Sequence, residues 1–141
     1  MRKRLSLWFA TLAWPFLILA AAPGLQAPLV ARVAQPVKPL RVWSGLASWY
    51  GPHFQGHMTA SGQPYDMFAP TAAHPWLPLG SLVRVVNVHN GHSQLVRIND
   101  RGPFMNEREM DVSFLAAAHL GLIDRGVSRV RFELLELPQR Q

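Results

Sequence analysis

The residues best placed to do chemistry lie in the stretch Leu95-Val96-Arg97-Ile98-Asn99-Asp100-Arg101-Gly102-Pro103-Phe104. Val96 and Ile98 alternate with Arg97 and Asn99, the period of two that marks a strand. Gly102-Pro103 then ends the ladder and turns the backbone. Asp100 thus falls where strand gives way to loop, a position that holds a carboxylate firmly while exposing it to a ligand. The stretch alone supports two readings: a carboxyl group that transfers protons, or a turn cap that pairs locally with Arg101.

Other chemistries find less support. There is no cysteine, which removes disulfides, thiolate metal ligands, a cysteine nucleophile and a lipidated cysteine. His53 and His57 are four apart, but their segment does not read as a helix, and no His-Glu-x-x-His occurs, so no metal is expected. A Gly-x-Ser-x-Gly turn and a phosphate-cradling glycine loop are both missing, and no cofactor is expected. What remains is a carboxylate at a strand end with aromatic side chains at Trp43, Trp49, Tyr50, Tyr65 and Trp76. Flat apolar rings of this kind suit sugar rings, although core packing accounts equally well for at least half of them.

The elements that must position Asp100 fit one small domain. The chain has 141 residues, 49% of them hydrophobic, with 10 Gly and 12 Pro, enough breakers to favour short strands and turns over a helical bundle. Net charge is +6, but the surplus sits in Arg2, Lys3, Arg4, Arg32, Lys38, Arg41 and Arg140. Residues 44–138 are close to neutral, so the high pI is weak evidence for nucleic acid, and no nucleic-acid partner is expected. Met1-Arg2-Lys3-Arg4 followed by an uncharged run from Leu5 to Ala22 has the layout of an export signal. Ala20-Ala21-Ala22 offers small residues for cleavage but Pro23 follows, so residues 1–22 are read as a signal peptide or an N-terminal anchor, the one membrane contact expected. Either way the rest lies outside the cytoplasm, in the periplasm or cell envelope. Residues 23–41, broken by four prolines, read as a tether, and the domain is expected over residues 42–138.

Within that domain Val42 to Tyr50 reads as a strand and His53 to Tyr65 as a long polar surface loop, more often functional than accidental at this length. A short strand is expected at Asp66–Ala69 and one helical turn at Thr71–His74. Ser81–Val88 reads as a strand, and Asn90-Gly91 as the hairpin turn leading back into Ser93–Ile98. Ser113 is placed to cap a helix over Phe114–Leu120, and Gly121 to stop it. Val127–Leu137 reads as the last strand, with Val130, Phe132 and Leu134 on one face and Arg129, Arg131 and Glu133 on the other. The sum is a mostly-β domain with one or two short helices, whose short strands need a closed or nearly closed sheet to hide their edges.

Several strings become specific when taken together. Gly45-Leu46-Ala47-Ser48-Trp49-Tyr50-Gly51, Thr59-Ala60-Ser61-Gly62, Tyr65-Asp66-Met67, Thr71-Ala72-Ala73-His74, Leu77-Pro78-Leu79-Gly80 and Val96 to Phe104 occur in that order, with Asp111-Val112-Ser113 behind them. From about Gly45 to Glu136 the chain closely resembles the rare lipoprotein A family of bacterial cell-envelope proteins. The resemblance implies a six-stranded double-psi β-barrel, the fold also seen in expansins. It implies lytic transglycosylase activity on peptidoglycan glycan strands, in some members only on strands stripped of stem peptides, and cell-division proteins as partners. The family's key carboxylate matches Asp100 and its key histidine His74, which makes these the expected catalytic residues. Gln63, Tyr65, Trp49 and Tyr50 are the expected substrate-binding residues. Gln63 stands where the family usually has a glutamate, a departure, because an amide cannot exchange a proton as a carboxyl does.

The chemistry implied passes through an oxocarbenium-like state. One carboxylic acid protonates the glycosidic oxygen and, as carboxylate, then takes the proton of the sugar's own 6-hydroxyl, which closes a 1,6-anhydro ring. Asp100 is the residue expected to do both, with His74 orienting substrate or stabilising charge across the groove. Two other readings stay open at the level of sequence: a weakly catalytic, expansin-like glycan-binding module, favoured by Gln63, and a different glycan hydrolase.

Overall fold

A computed structural model of the chain describes residues 37–105 and 107–139. The expected signal or anchor over 1–22, and most of the tether, lie outside the described residues. Among the described residues six strands form a closed barrel: β1 (Arg41–Trp49), β2 (Thr71–Ala73), β3 (Leu82–Asn87), β4 (Ser93–Asp100), β5 (Arg108–Val112) and β6 (Ser128–Glu136), with one α-helix, α1 (Phe114–Leu120), and a 3-10 turn at Pro52–Phe54. Around the barrel the order is β1-β5-β2-β4-β3-β6. The pairs β1–β5 and β2–β4 are parallel and the other four antiparallel, so the sheet has no free edge to protect.

Alternation explains the closure. Val83 and Val85 of β3, Val96 and Ile98 of β4, and Val130 and Phe132 of β6 are fully buried and fill the interior. Helix α1 adds Ala116, Ala117 and Leu120 to the same core. Its two ends are built as the sequence indicates. The Ser113 side chain accepts from the Ala116 N–H, and Gly121, at φ 72°, takes the left-handed conformation that lets its N–H reach the last carbonyls. On β6 the outer face carries Arg129, Arg131 and Glu133, but Glu133 is covered because Arg84 and Arg131 both bind its carboxylate at 2.9 Å.

Three local expectations are corrected. Asp66–Ala69 is a turn, closed by Ala69 N–H to the Asp66 carbonyl (3.1 Å) and by Phe68 N–H to the Asp66 side chain (2.9 Å). Thr71–Ala73 is a strand and not a helical turn, because it is held on both sides, parallel to β4 and antiparallel to β5. The ladder overrides the local preference of alanine. Strand β5 was not expected at all: its buried Met110 and Val112 alternate with Glu109 and Asp111, and the charges hide the strand pattern.

If the Ser113 hydroxyl satisfies the helix start, Ser113→Ala should cost about 1 kcal/mol. For a domain of this size that lowers the thermal midpoint by roughly 4–8 °C, readable by circular dichroism. An unchanged midpoint would remove the cap from the account of stability.

Candidate active site

Strand β4 ends at Asp100, and two neighbours fix that end. Ala73 of β2 lies opposite Asp100 after a bulge at Ala72/Ala73, and the next residue, His74, donates its N–H to the Asp100 carbonyl (3.2 Å). The loop between β1 and β2 folds over the strand tip, where Ser61 N–H donates to the Asn99 carbonyl (3.0 Å). The carboxylate is held by three donors: Ala60 N–H (2.9 Å) and Arg101 N–H (2.8 Å) to Oδ1, and the Tyr50 hydroxyl (3.2 Å) to Oδ2. Oδ1 is therefore occupied by two backbone donors, and Oδ2 is the oxygen with capacity left for another partner.

Asp100 faces an open cavity of about 300 Å³. Tyr50, Phe54, Met58 and Tyr65 supply its apolar walls, and His57, Thr59 and Arg101 its polar ones. Tyr50 and Tyr65 pack at 4.9 Å between ring centroids, and Tyr65 is only 4% exposed. Burial, then the charge and hydrogen bond of Asp100, push the Tyr50 phenol well above its ordinary range, so it stays a donor to the carboxylate. Burial also raises the Tyr65 phenol.

His74 is placed differently from the expectation of an imidazole across the groove. Its ring is fully buried and does not line the cavity. Nδ1 accepts from the N–H groups of Trp76 (3.3 Å) and Leu77 (3.2 Å), which puts the proton of the neutral ring on Nε2. Nε2 has no hydrogen-bond partner among the described residues, and the ring makes edge contacts with Trp43 and Trp76. Burial, together with Arg101 and Arg41, pushes the imidazole down to about 4, so it is neutral at physiological pH. Arg101 clamps this segment: its guanidinium binds the carbonyls of His74 (3.1 Å) and Leu77 (2.7 Å) and does not pair with the Asp100 side chain.

Of the other residues expected to bind substrate, Tyr50 and Tyr65 line the cavity. Gln63 is exposed on the loop that caps Asp100, its carbonyl closing the turn with Thr59, and its side chain is outside the cavity lining. Trp49 is not brought to the cavity; it packs on the core and against Phe114, ring centroids 5.7 Å apart. The sequence reading missed Phe54, His57, Met58 and Thr59, for which the length of the loop was the signal available. It also missed a part-buried network, in which Arg108 donates to the Ser48 hydroxyl and Ser48 to the Asp111 carboxylate (2.5 Å). Arg108 lies 3.3 Å from the same carboxylate.

A closed six-stranded barrel presenting one strand-tip carboxylate to a tyrosine-walled cavity defines a double-psi β-barrel with a candidate acid–base site. The profile of the lytic transglycolase family matches residues 42–132, and the chain belongs to that family. Proteins named endolytic peptidoglycan transglycosylase RlpA are similar to it: 50% identical over 92 residues in Vibrio cholerae, 54% over 89 in Pseudomonas aeruginosa and 52% over 90 in Neisseria meningitidis. These matches cover 65%, 63% and 64% of this chain but only 35%, 26% and 38% of the relatives, so the chain spans about a third of their length. Among solved structures, the Streptomyces papain inhibitor superposes with TM-score 0.58 at 25% identity, over 71% of this chain and 99% of that one. The Clavibacter michiganensis expansin does so with TM-score 0.54 at 18% identity, over 71% and 53%, and shares the fold.

The buried imidazole makes stability depend on pH. An unfolded histidine takes up its proton near 6.5, whereas the folded chain resists protonation until about 4. Stability is therefore full above pH 6.5 and falls as pH drops toward 4, by on the order of 3 kcal/mol for this group. Urea unfolding at about pH 7.5 and about pH 5 should show the loss, and His74→Asn, which keeps an acceptor but cannot titrate, should shrink it. An equal loss in the variant would assign the effect to other groups.

Proposed function

We propose that this chain is an endolytic lytic transglycosylase that cleaves peptidoglycan glycan strands between N-acetylmuramic acid and N-acetylglucosamine. The observation that carries the reading is Asp100 at the cavity wall, with Oδ1 fixed by two backbone N–H groups and Oδ2, bound only by the Tyr50 hydroxyl, left with capacity to face a sugar oxygen. Its family and the names of its relatives support the same substrate.

In the proposed cycle, the proton on Asp100 Oδ2 passes to the glycosidic oxygen as the C1–O bond breaks. The departing N-acetylglucosamine leaves with a free 4-hydroxyl. The Asp100 carboxylate, held by Tyr50, then takes the proton of the muramic 6-hydroxyl as O6 bonds to C1. The anhydro ring closes, Asp100 is again protonated, and no water is consumed. Tyr50 and Tyr65 offer ring faces to the sugars. His74 acts as a positioning residue: its backbone N–H holds the Asp100 carbonyl, and its neutral ring packs edge-on against Trp43 and Trp76. Gln63 hydrogen-bonds a sugar hydroxyl or N-acetyl group at the rim. The basic, apolar N-terminus supports export to the periplasm or cell envelope, where the substrate lies, and wall remodelling at division is the setting that fits.

Incubating the full chain with peptide-free glycan strands and analysing products by mass tests this. Anhydro ends with the wild type and a loss of roughly 100-fold or more with Asp100→Asn are expected, the range for removing a general acid–base group. Reducing ends would mean hydrolysis, and binding without cleavage would leave an expansin-like glycan-binding module. Gln63→Glu is expected to raise the rate if the position serves proton transfer in relatives; no change would end that idea.

A further inference from the structure

We infer that Arg41, Trp43 and Trp76 form a second sugar-binding platform, which takes a pyranose ring bearing a carboxylate farther along the same glycan strand. The inference rests on the proposed glycan-cleaving function of the cleft. An endo-acting enzyme must grip the strand on both sides of the bond it cuts. The cavity at Asp100 is walled mainly by the loop between β1 and β2, which accounts for one side.

The other contact is built around a half-exposed indole. Trp76 is 53% exposed, an unusual place for so large an apolar ring. It is not a loose side chain. Its ring centroid lies 6.0 Å from that of Trp43 with the planes tilted by 33°, and Trp43 in turn packs on the buried Phe132 at 5.2 Å. The Arg41 guanidinium carbon lies 5.3 Å from the Trp43 ring and 5.1 Å from the Trp76 ring. Arg41 is exposed and makes no salt bridge among the described residues. Glu109, which contacts the platform, accepts from the Trp43 indole N–H at 2.8 Å. An exposed indole beside an unpaired planar cation matches a ligand with an apolar ring face and a carboxylate, which is the chemistry of a muramic residue.

The platform is also tied to the catalytic cleft. Arg101 lines the cavity and binds the carbonyls on either side of Trp76, those of His74 and Leu77. Trp76 is three residues beyond Ala73, the partner of Asp100, and so within about 11 Å of it along the chain. That is within reach of a neighbouring sugar of one strand.

Calorimetric titration of the full chain carrying Asp100→Asn, which holds substrate without turnover, tests the platform. The ligands are a peptide-free tetrasaccharide of alternating N-acetylglucosamine and N-acetylmuramic acid, and chitotetraose, which lacks the carboxylate. The muramyl ligand should bind more tightly. Adding Trp76→Ala should weaken both by roughly fivefold or more, and Trp76→Tyr should restore most of the loss. Arg41→Gln should erase only the preference for the muramyl ligand. Unchanged binding in the Trp76→Ala and Arg41→Gln chains overturns the platform and leaves the cleft reading intact. No binding of either ligand also overturns it, and the anhydro-end assay on the chain with Asp100 intact then decides whether the cleft reading falls with it.

Discussion

Ala73 of β2 lies opposite Asp100 of β4, one step past a bulge, and the geometry of the site follows from that register. The bulge shifts the pairing so that His74 N–H can bind the Asp100 carbonyl. With its main chain fixed from β2, Asp100 can be approached from the other side by the loop over the strand tip, whose Ala60 N–H binds Oδ1. Tyr50, at the end of β1, closes the arrangement through Oδ2. A side chain on a free loop would need ordering each time substrate bound; here the barrel has already met that entropic cost. A slip of one residue in β4 would turn Asp100 away from the cavity and Val96 and Ile98 out of the core together. Site and core therefore depend on the same register.

The charges around Asp100 are separated by what each is bound to. Arg101 is adjacent in sequence, yet its guanidinium is spent on two carbonyls of the His74–Leu77 segment, and only its backbone N–H reaches the carboxylate. Burial, reinforced by the same guanidinium and by Arg41, keeps the His74 ring neutral. A neutral buried ring can pack against two indoles without bringing an uncompensated charge into the core. The fold thus brings a basic residue, an acid and an imidazole to the paired ends of β2 and β4 without letting them neutralise one another.

Much of this was legible in the sequence, and the limits have physical causes. Strands β3, β4 and β6 declare themselves through alternation, and α1 through Ser113 and Gly121, because those signals are local. Asp100 is legible for the same reason, as the last residue of an alternating run. Strands β2 and β5 are not. Thr71–Ala73 is a strand only because β4 and β5 flank it, and Arg108–Val112 carries charges at the positions that face away from the core. The Tyr50–Asp100 contact joins residues 50 apart and the Ser48–Asp111 contact residues 63 apart, so neither leaves a mark on local pattern. The resemblance to a family pointed to His74, but not to the fact that its ring is sealed beneath Trp76.

How many carboxylates reach the cavity bears on which reaction the site suits. Hydrolysis with an external water needs two, one to protonate the leaving oxygen and one to activate water or to attack the sugar. Asp100 is the only carboxylate lining the cavity among the described residues. Asp111, the other acid whose charge is felt at Tyr50, is outside the cavity lining, bound to Ser48 and beside Arg108. Gln63 supplies no carboxylate either. A reaction in which the substrate brings its own nucleophile removes the need for the second group, because the attacking hydroxyl is already attached to the sugar being cleaved and its effective concentration is high. A single acid that gives a proton and takes one back is enough for such a reaction, and a stiff strand tip whose Oδ2 meets only the Tyr50 hydroxyl is suited to it. On this argument Gln63 serves at the rim and its amide leaves the chemistry of the site intact.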